Sequence, residues 1–187
     1  MTERFERALL HAARLHKDQR RKGSGVPYVS HLMAVSALTI EYGGDEDEAI
    51  AALLHDAVED QGGAVARADI LREFGPRVTE IVDGCTDEEG PPWRARKEEY
   101  IGGLQHASKS VRLVVACDKV HNARSLVMDY RTCGEALWCR FTGRREGTLW
   151  YYRAMVIMLR SAGGGAVVDE LDRVVTELET LAAGRAK

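Results

Sequence analysis

Three observations predict an all-α fold. Apolar residues recur at helical rather than alternating spacing, and the breaks between these segments fall on Gly and Pro. The one run that passes for a strand, residues 111–115, has no partner strand in the sequence. The expected architecture is a helical bundle of about eight to ten helices, with the 187 residues forming one domain large enough to bury a substantial core.

Residues 3–17 place Phe5, Leu9, Ala12, Ala13 and His16 on one stripe of a charged segment, the mark of an amphipathic helix. The stretch Asp18 to Pro27 is basic and glycine-containing and reads as a loop before a second helix from Tyr28 to Tyr42. Gly43 and Gly44 end that helix. Asp45 with Glu48 forms a capping box for a third, which runs to Asp60 and stops at Gln61-Gly62-Gly63. Helices over 67–74 and 76–84 are split by Gly75-Pro76, with proline suited to a first turn. Residues 88–92 read as a loop, 93–107 and 109–128 as helices, and 129–147 as irregular. Two final helices, 148–162 and 166–183, flank Gly163-Gly164-Gly165.

Composition narrows the function. A net charge of -3 creates no global field for a nucleic acid polymer or an anionic membrane, so any anionic substrate needs a local basic cluster. No apolar run approaches the roughly 20 residues of a membrane span. Met1-Thr2-Glu3-Arg4 leads directly into a charged amphipathic segment, unlike a signal peptide. The four cysteines, Cys85, Cys117, Cys133 and Cys139, have no metal-binding or disulfide spacing. Reduced thiols in a cytoplasmic protein are the expectation.

The chemistry gathers around His55-Asp56. With the lone His31 upstream and Asp118 downstream, the chain offers two imidazoles and two carboxylates, a ligand set suited to a divalent transition metal. On one continuous helix, Glu59 and Asp60 fall one turn after His55 and Asp56, and Ala51 and Ala52 one turn before, leaving room for an ion. Acids at a helix C-terminus oppose the macrodipole, which points to a functional reason for Glu59 and Asp60. Asp118 follows the apolar Val114-Val115 and should be buried; metal coordination and an arginine partner both satisfy such a carboxylate. His11, His16, His106 and His121 read as packed or surface residues. Arg21 and Lys22, Arg94, Arg96 and Lys97, and Arg144 and Arg145 are basic clusters able to meet phosphates or stack on a base. Within Trp150-Tyr151-Tyr152, Tyr152 is the candidate pocket residue and core packing the simpler role.

Four stretches together resemble the HD-domain metal phosphohydrolases, and more closely the (p)ppGpp hydrolase domain of the RelA/SpoT homologues, above all its small stand-alone members. They are Arg21-Lys22 with Pro27-Tyr28-Val29-Ser30-His31, Ala52 to Asp60, Glu73-Phe74-Gly75 through Val82 to Thr86, and Asp118 to Ser125. The resemblance spans about residues 5–160, leaving 163–187 as a helical extension. It implies His31, His55, Asp56 and Asp118 as metal ligands, with Mn²⁺ the usual ion. It implies Glu59 and Asp60 as the acids that activate water, and Arg21 and Lys22 as the basic pair at the nucleotide. Asn122 and Ser125 match residues that contact the nucleoside. Lys119 stands where the long enzymes usually carry arginine, the loop from Arg21 to Pro27 is one residue longer, and the segment 143–148 departs from them. The implied activity is removal of the 3′-pyrophosphate from guanosine tetra- or pentaphosphate. Action on another nucleotide, such as the 2′-phosphate of NADPH or a nucleoside phosphate, and a non-catalytic nucleotide-binding module are the alternatives.

Overall fold

The computed structural model describes residues 1–87, 90 and 92–184. They hold ten α-helices, one 3-10 helix and no strand, so the all-α expectation stands. The chain divides into two compact units, Met1–Asp87 with Ala107–Asp118, and Glu88–His106 with Lys119–Lys187. No described helix is long and apolar enough to cross a membrane.

In the first unit, α1 (Glu3–Leu15) begins at a Thr2 cap whose side chain accepts from the Arg4 amide. Helix α2 (Val29–Glu41) follows a loop that folds back on itself: Arg20 bridges Pro27, and the Arg21 amide donates to the Val26 carbonyl at 2.9 Å. Gly25, at φ +70°, supplies the left-handed turn this needs. Helix α3 (Glu46–Leu54) starts at the expected Asp45–Glu48 capping box and packs on α2, α1 and α6. Its residues Ala49 to Leu54 are almost entirely buried, as is fitting for a helix apolar on every side. Helices α4 (Ala57–Gln61), α5 (Gly63–Phe74) and α6 (Pro76–Cys85) complete this layer with residues 109–118 of α8 (Lys109–Cys133). Gly84 lets α6 approach α8 closely, since a Cβ there would lie 2.6 Å from Val111.

In the second unit, α7 (Trp93–Leu104) and α10 (Ala166–Gly184) each pack on α9 (Arg144–Ser161). The buried face of α10 carries Leu171, Val174, Val175 and Leu178 at helical spacing.

Two expectations change. The helix expected to run unbroken to Asp60 ends at Leu54 and restarts at Ala57. His55 donates from Nδ1 to the Ala52 carbonyl at 2.8 Å, occupying one of the carbonyls a helix end leaves open, and Asp56 adopts φ −96°, ψ 0°. Residues 129–147 are largely helical: α8 continues to Cys133, and a 3-10 helix (Gly134–Arg140) precedes α9. Gly134 at φ +58° ends α8 in the left-handed conformation, and burial of Leu137 and Trp138 orders the next turn despite its weak pattern. The strand-like run 111–115 lies inside α8, as the helix expected over 109–128 requires, and its periodicity is blurred because Val114, Val115, Ala116 and Cys117 are all buried. Of the expected 88–92 loop, Glu88, Glu89 and Pro91 lie outside the described residues.

Candidate metal centre

Three segments of the first unit bring the ligands together. His31 sits in the first turn of α2, His55 and Asp56 occupy the break between α3 and α4, and Asp118 closes the buried run of α8. The side chains of His31, His55 and Asp118 are 1%, 4% and 9% exposed. One ligand atom from each lies within 4.8 Å of the others. His31 Nε2 is 3.2 Å from Asp118 Oδ1 and 3.6 Å from Asp56 Oδ2; His55 Nε2 is 3.0 Å from Asp56 Oδ2 and 3.7 Å from Asp118 Oδ1. Neighbouring ligands about 2.1 Å from one ion stand about 3.0 Å apart in octahedral geometry and about 3.4 Å apart in tetrahedral geometry. The separations of 3.0 and 3.2 Å fall in that range, and those of 3.6 and 3.7 Å lie a few tenths of an ångström beyond it.

The imidazole of His55 is set for the same purpose. Because Nδ1 donates to the Ala52 carbonyl, the neutral ring turns its lone pair outward at Nε2, an atom that is buried and has no hydrogen-bond donor among the described residues. Without an ion, burial disfavours charge on both His55 and Asp56. Mutual attraction outweighs it: Asp56 and Asp118 raise the His55 pKa, and His55 and His31 hold Asp56 well below the usual carboxylate range. The donor set of two imidazole nitrogens and two carboxylates fits a divalent cation.

Tyr28, which the sequence offers only as part of the Pro27-to-His31 stretch, packs against this cluster. Its hydroxyl donates to Asp56 Oδ2 at 2.7 Å, and burial, then the Asp56 charge, push its pKa far up. Its ring stacks on His16 with centroids 5.5 Å apart and meets His31 edge-on. Its position three residues before His31, where α2 begins, is the signal that could have found it. Arg21 lies over the same ring at 5.9 Å, while Lys22 is exposed on the loop.

Glu59 and Asp60 sit in the first turn of α4, not at the end of a long helix, so the macrodipole cost inferred from the sequence is absent. Asp60 accepts from Gln19 Nε2 at 2.7 Å, and Glu59 accepts from the Asp87 amide at 3.3 Å. Ala51 and Ala52 are sealed in the core and border no open space; what Ala52 contributes is its carbonyl.

The other expected residues lie in the second unit. Asn122 and Ser125 continue α8 one and two turns past Asp118, and the Ser125 hydroxyl donates to the His121 carbonyl at 3.0 Å. Lys97 on α7 has its Nζ 5.2 Å from the Tyr151 ring, and Lys119 approaches the same ring at 5.7 Å. Arg94 lies 3.2 Å over Trp150. Tyr152 is buried edge-on against Tyr151, as core packing requires. Arg145 donates to the Ala182 carbonyl near the end of α10.

These features make a candidate metal centre on an all-helical frame, and the chain belongs to the HD-domain family, whose model matches residues 8–149. Within it, the chain is similar to the guanosine-3′,5′-bis(diphosphate) 3′-pyrophosphohydrolase MESH1 of Danio rerio, at 35% identity over 169 residues and 89% of each chain. MESH1 of Xenopus tropicalis is 37% identical over 118 residues, a match spanning 62% of this chain and 65% of that relative. A solved structure of a metazoan SpoT orthologue that hydrolyses ppGpp superposes with a TM-score of 0.76 at 28% identity, covering 100% of this chain and 97% of that one.

Proposed function

We propose that this chain is a metal-dependent pyrophosphohydrolase. It would remove the 3′-pyrophosphate of guanosine tetra- or pentaphosphate, releasing pyrophosphate and GDP or GTP. The observation that carries the reading is the buried convergence of His31, His55, Asp56 and Asp118 at ligand spacing. Its specificity rests on the similarity to enzymes named for this reaction.

In this reading the four residues hold one divalent cation, Mn²⁺ being the ion the family resemblance favours. A bound ion supplies Lewis acidity toward a phosphoryl oxygen and lowers the pKa of water. Tyr28 fixes the orientation of the Asp56 carboxylate through its hydroxyl. Glu59 or Asp60 accepts the proton of the attacking water, with Asp60 taken as the acceptor below; the water oxygen bonds to the phosphorus attached at the 3′-oxygen, and the 3′-oxygen leaves with the nucleotide and is protonated. Arg21 and Lys22 offset phosphate charge, joined in role by Lys97, while Asn122 and Ser125 are assigned to the nucleoside on their match to the family pattern, and Tyr152, buried against Tyr151, keeps a packing role. The four free cysteines suit action in the cytoplasm.

The test offers the Mn²⁺-loaded protein ppGpp, NADPH and simple nucleotides in parallel and resolves products by anion exchange. Pyrophosphate and GDP from ppGpp are expected. Turnover of NADPH or a nucleoside phosphate alone would replace the substrate, and binding without turnover would make the chain a nucleotide-binding module.

A further inference from the structure

We propose that Gln19 is a positioning residue for the Asp60 carboxylate, with its amide locked by the buried imidazole of His16. The proposal rests on the reading of Asp60 as proton acceptor given above.

The hydrogen bonds permit one arrangement. An ionised carboxylate only accepts, so Gln19 must present its NH₂ to Asp60 Oδ2, at 2.7 Å. That leaves Gln19 Oε1 to accept, and two groups converge on it: Gln61 Nε2 at 2.6 Å and His16 Nδ1. His16 must therefore carry its proton on Nδ1, and burial lowers its pKa, which keeps the ring neutral. A carboxamide held at its oxygen by two donors cannot flip, and its NH₂ stays aimed at Asp60.

The imidazole is retained at a cost. His16 is 1% exposed, and its Nε2 is buried without a hydrogen-bond partner among the described residues. A phenylalanine would give the same stack on Tyr28 without a stranded lone pair. What phenylalanine lacks is the Nδ1 proton that Gln19 receives. His16 thus touches both acids at one remove, Asp60 through Gln19 and Asp56 through Tyr28. Asp60 itself is exposed on a five-residue helix, where an unguided carboxylate would sample several rotamers.

The test is a double-mutant cycle on the full Mn²⁺-loaded chain with ppGpp, using Gln19→Leu, Asp60→Asn and their combination. Gln19→Leu should lower kcat by roughly 10- to 100-fold with little change in KM. The combined variant should be no slower than Asp60→Asn alone. Equal cost of Gln19→Leu in both backgrounds would overturn the proposal. So would wild-type turnover by Asp60→Asn, which removes the role of Asp60 while leaving pyrophosphate release by the unmodified chain to decide the activity itself. A second readout uses ¹⁵N-histidine NMR on the chelated protein. A slowly exchanging His16 Nδ1 proton is expected, and it should disappear in Gln19→Leu; its persistence would contradict the lock. His16→Asn, which keeps a donor near the Nδ1 position, should retain more kcat than His16→Phe. The reverse ranking would mean that the ring alone matters.

Discussion

The two units treat charge in opposite ways. In the first, His31, His55 and Asp118 are buried, and Asp56 nearly so, at mutual distances that only a shared cation or shared protons make tolerable. In the second, Arg94, Lys97 and Lys119 lie against the faces of Trp150, Tyr151 and Tyr100, where the cation keeps contact with water and the ring quadrupole supplies a modest attraction. Buried charge is expensive and therefore demands defined geometry, whereas a half-solvated cation on an aromatic face tolerates movement. The first unit is thus equipped to hold an ion rigidly. The second sets cations against aromatic faces instead.

The sharpest way to break this contrast is to remove one carboxylate from the buried cluster. Asp118→Asn leaves the shape intact but removes a negative ligand, and the loss of several kcal/mol of transition-state stabilisation corresponds to roughly 10³-fold or more in kcat/KM. Steady-state turnover with Mn²⁺ titrated over each variant checks it. Activity within tenfold of the unmodified chain would show that the cluster is merely structural.

Metal removal is next in size. An ion present at about 100 times its Kd stabilises the folded chain by about 2.7 kcal/mol, seen as a fall in Tm on chelation. The gap should depend on pH. In the metal-free chain, burial disfavours the His55 cation but Asp56 and Asp118 outweigh it, so the folded pKa lies above the unfolded one. The proton's stabilisation is complete below about pH 6.5, the ordinary histidine value, and is lost as pH rises through the folded pKa. The ion must displace that proton, so its affinity grows over the same interval. The difference in Tm between loaded and chelated protein should therefore widen from about pH 6 to about pH 8 in scanning fluorimetry. A constant difference would remove His55 from the ligand set.

Tyr28→Phe probes the same cluster more gently. It deletes a hydrogen bond to the charged Asp56, an interaction worth about 1.5–3 kcal/mol. Mn²⁺ binding weaker by roughly tenfold or more is expected by calorimetry, with the Tm of the chelated protein lowered by several degrees because the same bond is lost there. Unaltered affinity would leave Tyr28 a packing residue.

The unequal treatment of charge also explains what was legible in the sequence. The helices whose pattern is one-sided, α1 and α10, and the Asp45–Glu48 cap could be read directly, because local rules govern them. The break at His55-Asp56 could not: every residue from Ala49 to Leu54 is buried, so no polar stripe marks where the helix stops. The break coincides with His55 and Asp56 facing His31 on α2 and Asp118 on α8, a tertiary arrangement with no local signal. His31 and Asp118 were legible as candidate donors by residue type, and their pairing with His55-Asp56 gained its specificity from the family pattern, since the convergence joins residues far apart in the chain. His16, expected as a packed or surface residue, is buried as its place on an apolar stripe implies, but neither its contact with Gln19 nor that of Gln19 with Asp60 has a distinctive spacing in the sequence.

The smallest expected effect lies in the second unit. Arg94→Ala removes a guanidinium from the Trp150 face, an interaction worth about 0.5–1 kcal/mol at an exposed site. Arg94 also pairs with Glu98 four residues on, which adds little on a solvated helix surface. Stability should therefore fall by no more than about 1 kcal/mol in urea unfolding. If this surface meets phosphate, KM should rise a few-fold while kcat holds, because an adaptable cation binds ground state and transition state alike. A fall in kcat with KM unchanged would mean that Arg94 acts only in the transition state. The second unit would then need a defined geometry of its own, and the contrast with the buried cluster would fail.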